Sequence, residues 1–125
     1  MNKIEIAGTD SPANTKTLEI ALEAFEISNA IINVEFVTKE DILDLNNKFR
    51  QINKPTDVLS FPQIKVESAP IWLLGDIIIC RDVVDEKGED LEDVLKHGLL
   101  HLLGYNHETD EQRWSLAAKK IDCKY

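Results

Sequence analysis

Apolar positions along the chain recur with two periods, one typical of amphipathic helices and one typical of strands. Helical spacing predicts helices over Asn14–Ser28, from an N-cap at Thr38 to about Arg50, over Asp82–Glu86, over Glu89–Leu103 and over Thr109–Ile121. β-Branched and alternating runs predict strands over Lys3–Ala7, Ile31–Val37, Val58–Phe61 and Leu73–Cys80. This order favours an α/β or α+β layer with a small mixed sheet. The strands over Val58–Phe61 and Leu73–Cys80 have no helix between them, which predicts that one strand of the sheet is antiparallel.

Local signals mark several of these boundaries. Thr38 followed by Asp41 is typical of a helix N-cap, and Gly104 is the residue expected just beyond the end of the helix over Glu89–Leu103. Gly75, inside a strand, predicts a bulge or the close approach of another backbone. The positions expected in the core also include Trp72, Cys80 and Trp114, with Ala117, Ala118 and Ile121 facing inward on the last helix.

The composition fits one packed domain over residues 1–125. Hydrophobic residues make up 43% of the chain, which is enough for a core and excludes wholesale disorder. Asp76 interrupts the most apolar run, Ile71–Cys80, so no membrane span is expected. The first residues carry no apolar signal core, and the two cysteines do not form a zinc-type pair. These features favour a reducing, cytoplasmic location.

The formal net charge of −9 argues against indiscriminate binding to nucleic acid. The segment from Lys48 to Lys65 departs from this acidity. It contains one acidic residue, Asp57, and four basic residues, which are Lys48, Arg50, Lys54 and Lys65. A local basic patch on an acidic protein suits a polyanion guided to one site. Ordinary charge scatter in a solvated loop explains the same composition equally well.

All three histidines lie within eleven residues, at positions 97, 101 and 107. Residues four apart on a helix project from one face, so His97 and His101 are expected side by side. Gly104 can take a left-handed conformation that turns the chain back. That turn would bring His107 to the same point, and the sequence therefore predicts three converging imidazoles.

Three imidazoles with an open fourth position form the layout of a catalytic zinc site, which lowers the pKa of water towards ~7. The spacing is similar to that of zinc proteases, so the helix is zincin-like. Gly98, however, occupies the position of the protease general base, and Met1 is the only methionine, so the methionine turn is missing as well. A metallopeptidase is therefore not expected.

Four blocks of sequence, in order, resemble the YbeY family of bacterial metal-dependent endoribonucleases, which are described as rRNA maturation factors. The blocks are Asn46-x-x-Phe49-Arg50, Pro55-Thr56-Asp57-Val58-Leu59-Ser60-Phe61, Leu74-Gly75-Asp76-Ile77 and His97-Gly98-x-Leu100-His101-Leu102-x-Gly104-Tyr105-x-His107. Residues 1–40 match the family only in outline. The family usually has Asp where this chain has Asn106, which removes one carboxylate that could support a metal ligand.

The resemblance implies an α+β fold with a four-stranded mixed sheet flanked by helices, and one Zn²⁺ on the three histidines. It implies cleavage of single-stranded RNA, linked to processing of the 3′ end of small-subunit (16S) rRNA and to ribosome quality control. The expected partners are ribosomal RNA and the ribosome or small-subunit assembly proteins. A metal-binding assembly factor that binds without cutting stays as the alternative, because no general base is recognisable.

Further residues are candidates for a role in the site. Arg50 matches the family motif and could bind a phosphate, but it could also simply stabilise the C-terminus of its helix. Asp57 and Ser60 could line the cleft, with turn capping as the favoured role of Asp57. Asp76 could support a histidine or belong to a strand bulge. Phe61 and Tyr105 could stack a base, although core packing is more usual.

Overall fold

A computed structural model describes residues 4–7 and 11–124 of the chain. The described residues form, in order, β1 (Ile4–Ala7), α1 (Pro12–Ala24), β2 (Ala30–Phe36), α2 (Lys39–Arg50), β3 (Val58–Pro62), β4 (Trp72–Ile79), α3 (Arg81–Glu86), α4 (Leu91–Leu102) and α5 (Glu111–Lys120). Each predicted element is present, with ends that differ by a few residues. Lys3 and residues 8–10 lie outside the described residues.

The four strands form one mixed sheet in the order β1-β2-β4-β3. β1 and β2 pair in parallel, as do β2 and β4, whereas β3 pairs antiparallel with β4. The predicted antiparallel member is therefore confirmed, and the fold is α+β with a four-stranded mixed sheet. Among the described residues β3 is an outer strand, which leaves its other edge open beside α4.

The two faces of the sheet bury separate clusters. The larger cluster packs α1, α4 and α5 on one face, and it includes Leu18, Leu22, Ile32, Val34, Ile77, Ile79, Leu95, Leu99, Leu100 and Trp114. The smaller cluster packs α2 and α3 on the other face with Ile42, Leu59, Ile78, Cys80 and Val83. Cys80 is a small buried residue, as expected. Trp72, expected in the core, is half-buried and packs against the larger cluster at the start of β4, with Lys65 over its ring.

Side-chain caps begin the helices that flank the site. Thr38 Oγ1 accepts a hydrogen bond from the Asp41 N–H, and α2 ends at Arg50 as predicted. Asp90 caps α4 by accepting from the Glu92 N–H. α1 ends at Ala24, earlier than predicted, because Glu26 takes a left-handed φ of 57°. None of the helices in the described part of the chain is long and apolar enough to cross a membrane.

Gly75 allows β3 and β4 to approach closely. Its φ is +133°, and a Cβ at this position would lie 2.2 Å from the carbonyl oxygen of Phe61. The register between β2 and β4 shifts beside it, since Ile31 pairs with Leu73 and Ile32 pairs with Gly75. Both expectations for this glycine, a bulge and a close approach, are confirmed.

Candidate metal centre

α4 presents the first two histidines on one face. The Nε2 atoms of His97 and His101 lie 3.2 Å apart. His97 is buried against the core, with 6% of its surface exposed, and His101 is half-buried towards the cleft. The four-residue spacing thus produces the pair that the sequence predicts.

The turn after α4 brings the third histidine back to this pair. Gly104 has a φ of +94°, and the Tyr105 N–H donates to the Leu100 carbonyl over 3.0 Å, which closes the end of the helix. The His107 ring then lies 5.4 Å from the ring of His97 and 5.5 Å from that of His101, between centroids. One ring nitrogen of each histidine lies within 4.8 Å of the others. The predicted convergence is confirmed.

The donor set fits a zinc ion. Two nitrogens bound to one tetrahedral zinc at about 2.0–2.1 Å would be roughly 3.3 Å apart, close to the observed separation between His97 and His101. Three imidazoles would leave a fourth position for water or substrate, and His107 is the exposed member of the set. His97, His101 and His107 are the residues that would hold the ion.

The environment keeps two of these imidazoles neutral, which is the form that binds metal. Burial, followed by the neighbouring His101 and His107, lowers the pKa of His97 to about 3, while Asp57 acts in the opposite direction. Burial, His107 and the charge of Arg50 lower the pKa of His101. Both rings are therefore available to a cation at neutral pH.

Trp114 forms the wall behind the three imidazoles. Its ring centroid lies 5.0 Å from the centroid of each histidine ring, and its own surface is only 6% exposed. The residue comes from α5, so this helix fixes the position of the site from behind. The sequence predicts Trp114 as an inward-facing core residue, but no signal in the sequence links it to the histidines.

The histidines open into a cleft of about 720 Å³ between α4, β3 and the end of α2. Arg50, Asp57 and Ser60 border the same cleft. Arg50 is the last residue of α2 and is exposed, and its charge acts on His101. The structure therefore brings the basic end of α2 to the site, where Arg50 can also interact with the dipole of its own helix.

Asp57 is buried and has local partners. Its Oδ1 accepts from the Val58 N–H over 2.8 Å and from Thr56 Oγ1 over 3.2 Å, which is the capping role that the sequence favours. Its Oδ2 lies 3.8 Å from the Lys87 ammonium. Burial, then the hydrogen bond with Asp57, then its negative charge raise the pKa of Glu89 to about 7. Asp57 and Glu89 thus form a carboxyl pair, of which Asp57 lines the cleft.

Ser60 holds β3 against α4, the helix that carries His97 and His101 (the metal helix). Its hydroxyl donates to the carbonyl oxygen of Gly98 over 3.0 Å. A Cβ at Gly98 would lie 2.8 Å from Ile77 Cγ2 and 3.3 Å from Ser60 Oγ. Packing therefore explains why this position is a glycine, because α4 lies too close to the sheet to leave space for a glutamate side chain.

The structure does not bring Asp76 to the histidines. It pairs with Phe61 on β3 and Asn33 on β2, one residue from Ile77, whose side chain contacts α4. Successive strand residues point to opposite faces, so Asp76 projects from the face away from the metal helix. Strand alternation therefore argues against support of a histidine by Asp76, while its place beside the bulged Gly75 agrees with the other interpretation.

The family described as "Endoribonuclease YbeY" matches residues 2–123 of the chain.

The chain belongs to the YbeY endoribonuclease family.

An "Endoribonuclease YbeY" of Aquifex aeolicus is 40% identical over 101 residues, which cover 74% of this chain and 67% of that protein. Another from Alteromonas mediterranea is 33% identical over 121 residues, covering 90% of this chain and 77% of the relative. A Thermotoga maritima protein of known solution structure superposes with a TM-score of 0.57 at 28% identity, over 96% of this chain and 87% of that one.

In this YbeY chain, Asn106 accepts two hydrogen bonds in the turn that carries His107. Its side-chain oxygen accepts from the Glu108 N–H over 2.8 Å, and its carbonyl oxygen accepts from the Asp110 N–H over 2.9 Å. The first contact needs only an oxygen acceptor, which an amide supplies as well as a carboxylate, and the second is made by the backbone whatever the side chain is. The departure at this position therefore leaves the turn intact.

Proposed function

We propose that the protein is a zinc-dependent endoribonuclease that cuts single-stranded RNA during the maturation of ribosomal RNA, including the 3′ end of small-subunit rRNA. The observation that carries this proposal is the meeting of three imidazoles with the cationic end of α2 in one open cleft. The printed name of the relatives, endoribonuclease, supports the same class of reaction.

Hydrolysis of a phosphodiester needs an activated nucleophile and stabilisation of negative charge on the phosphoryl oxygens. A zinc ion on His97, His101 and His107 supplies Lewis acidity to both tasks. Arg50 supplies a planar, permanently charged guanidinium that can bind two phosphate oxygens at once. Arg50 lines the same cleft as the three histidines, which supports its action on the same phosphate.

Asp57 and Ser60 serve the site indirectly in this proposal. The Asp57 carboxylate is buried and its charge favours the protonated form of His97, so it offers a negative charge near the back of the cleft. Ser60 fixes the distance between β3 and the metal helix through Gly98. Both residues orient the groups that touch the substrate.

The charge distribution supports substrate delivery by a larger assembly. A protein of net charge −9 repels a long polyanion except at its basic end, so affinity for naked RNA should be weak and salt-dependent. We infer that the ribosome or small-subunit assembly proteins present the RNA to the cleft in the cytoplasm.

The proposal is tested by incubating zinc-reconstituted protein with an end-labelled single-stranded oligoribonucleotide beside His101→Ala and Arg50→Ala. Removal of a charge-stabilising donor costs about 10²–10³ in rate, so we expect both variants to lose at least that much. Lys119→Ala is the matched control, because it also removes an exposed cation from the last turn of a helix, but outside the cleft.

Equal cutting by all preparations would assign the activity to a contaminating nuclease and overturn the proposal. Wild-type protein that does not cut but sediments with small ribosomal subunits would favour the alternative, a metal-binding assembly factor. Chelator-sensitive digestion of casein would instead indicate a peptidase.

A further inference from the structure

An aromatic pair borders the cleft next to Arg50. The rings of Phe49 and Phe61 lie 5.1 Å apart between centroids at an interplanar angle of 68°, an edge-to-face contact. Both residues line the cleft that holds the histidines. Phe61 packs on the smaller hydrophobic cluster and is half-buried, so it provides a fixed support for the Phe49 ring.

Phe49 itself is left in solvent, with 53% of its surface exposed. It lies in the last turn of α2, between Lys48 and Arg50, and the Lys48 ammonium lies 5.4 Å from the centre of the ring. A single exposed apolar residue needs no explanation by itself, but this ring lies at the cleft, where a bound ligand can cover it. The flanking cations indicate that this ligand is anionic as well as planar.

From this arrangement we propose that Phe49 stacks on a nucleobase of the bound RNA and thereby selects unpaired nucleotides. The inference rests on the proposed function. The bases of a duplex are already stacked on their neighbours, whereas a single strand can turn a base onto a protein ring. Phe49 therefore gives the cleft a preference for single strands that neither the histidines nor Arg50 provides.

The neighbouring residues accommodate this contact. An edge-to-face contact with Phe61 covers at most one face of the Phe49 ring. Lys48 is exposed and flexible, so an arriving base can displace its ammonium, which can then bind the phosphate next to that base. Arg50, which follows Phe49 in the sequence, binds the phosphate that lies at the histidines. The end of α2 would thus hold two successive phosphates and one base.

The other aromatic residues of the cleft are less available. The ring of Tyr105 packs against Phe25 at 5.9 Å between centroids, and the Arg113 guanidinium lies 5.4 Å from its centre. Tyr105 and Phe61 are both half-buried. Of the phenylalanine and tyrosine rings that line the cleft in the described part of the chain, Phe49 has the most exposed surface.

The test is the affinity of metal-free protein for a fluorescent single-stranded oligoribonucleotide, measured by anisotropy so that no cleavage intervenes. Stacking of one base predicts that Phe49→Ala weakens binding roughly tenfold or more, whereas Phe49→Trp retains wild-type affinity. Phe49→Leu keeps apolar area without a π-face and should resemble Phe49→Ala. Leu116→Ala is the control, since it removes an exposed apolar side chain from α5.

A second arm identifies the stacking contact. One nucleotide at a time is replaced by an abasic residue, and one position should weaken binding to the wild type but have no further effect on Phe49→Ala. Equal binding by Phe49→Ala and wild type, or full affinity of Phe49→Leu, would overturn the inference. The same holds if the abasic scan gives identical profiles for both proteins.

Failure of the stacking inference can be distinguished from failure of the proposed function. If zinc-loaded wild type cuts RNA while Phe49→Ala binds and cuts single strands equally well, only the stacking role is lost. If zinc-loaded wild type cuts no RNA under any condition, the endoribonuclease proposal fails whatever the binding experiment gives.

Discussion

The hydroxyl of Ser60 donates a hydrogen bond of 3.0 Å to the carbonyl oxygen of Gly98, across 38 residues of sequence. This contact ties the outer strand β3 to the middle of the helix that carries His97 and His101. It exists because Gly98 lacks a side chain and so lets the strand reach the helix backbone. The position of the metal helix against the cleft therefore depends on two small residues.

Ser60→Ala should lower the free energy of unfolding by about 1 kcal/mol, the usual net contribution of one such hydrogen bond. The midpoint of urea unfolding measures this change, with Ser115→Ala as the control because Ser115 is exposed on α5. Identical urea midpoints for Ser60→Ala and wild type would show that the hydrogen bond between Ser60 and Gly98 contributes nothing to stability.

Gly98→Ala should destabilise the protein by about 1–3 kcal/mol, since the added methyl group would lie 2.8 Å from Ile77 Cγ2. Ile77→Ala removes that methyl carbon, so Gly98→Ala should cost less in the Ile77→Ala background than in the wild type. Urea unfolding of the four proteins gives the coupling energy. An equal cost in both backgrounds would contradict the predicted clash.

Elemental analysis should find about one zinc per chain, and the double variant His97→Ala/His107→Ala should lose it. Because zinc binds only the folded protein, adding the ion should raise the melting temperature of the wild type but not of this variant. Asp76→Asn is the matched control and should retain zinc, since Asp76 projects from the other face of the sheet. Loss of zinc from Asp76→Asn would refute its placement.

The metal-free protein should lose stability as the pH falls below 6.5, the ordinary pKa of histidine. Because burial lowers the pKa of His97 to about 3, the unfolded chain binds more protons than the folded one between these values, and unfolding becomes easier with acidification. We expect about 2 kcal/mol between pH 7 and pH 4.5, after allowance for solvent screening.

Urea titrations of metal-free wild type and His97→Gln at several pH values measure this term. The variant should show a flatter decline than the wild type, because it lacks the group that the unfolded chain protonates. Parallel curves for the two proteins would mean that His97 takes up its proton equally well in the folded state.

Glu89→Gln should stabilise the protein above pH 7 by about 1 kcal/mol after allowance for the exposure of Glu89. The folded pKa of Glu89 is raised to about 7, so its protonated form is favoured and its charge beside Asp57 is unfavourable. The gain should shrink as the pH falls from 7 towards 4.5. In an Asp57→Asn background the gain should be smaller at every pH, and a full gain there would exclude repulsion by Asp57.

The local parts of this structure follow from the sequence because their causes are local. The Thr38 cap, the end of α2 at Arg50 and the turn at Gly104 each depend on residues within one or two helical turns. The pairing of His97 with His101 depends only on the helical repeat. These features could be predicted from residue types and spacing.

The boundaries and the burial of single residues were predicted less well. α1 ends before its apolar pattern does, because the backbone turns at Glu26. Trp72 packs against the larger cluster at the start of β4, where it is half-buried. Asp76 belongs to a motif shared with the site residues, yet strand alternation points it away from them.

The sequence by itself determined a small mixed sheet packed with helices, the three converging imidazoles and the basic segment, because periodicity and short-range spacing encode them. Only the tertiary structure decided which residues surround that centre. Trp114 stands behind the histidines, Asp57 meets Glu89, and Phe49 lies at the cleft next to Phe61. Each of these contacts joins different elements or loops, and the distances are set by how the helices pack on the two faces of the sheet.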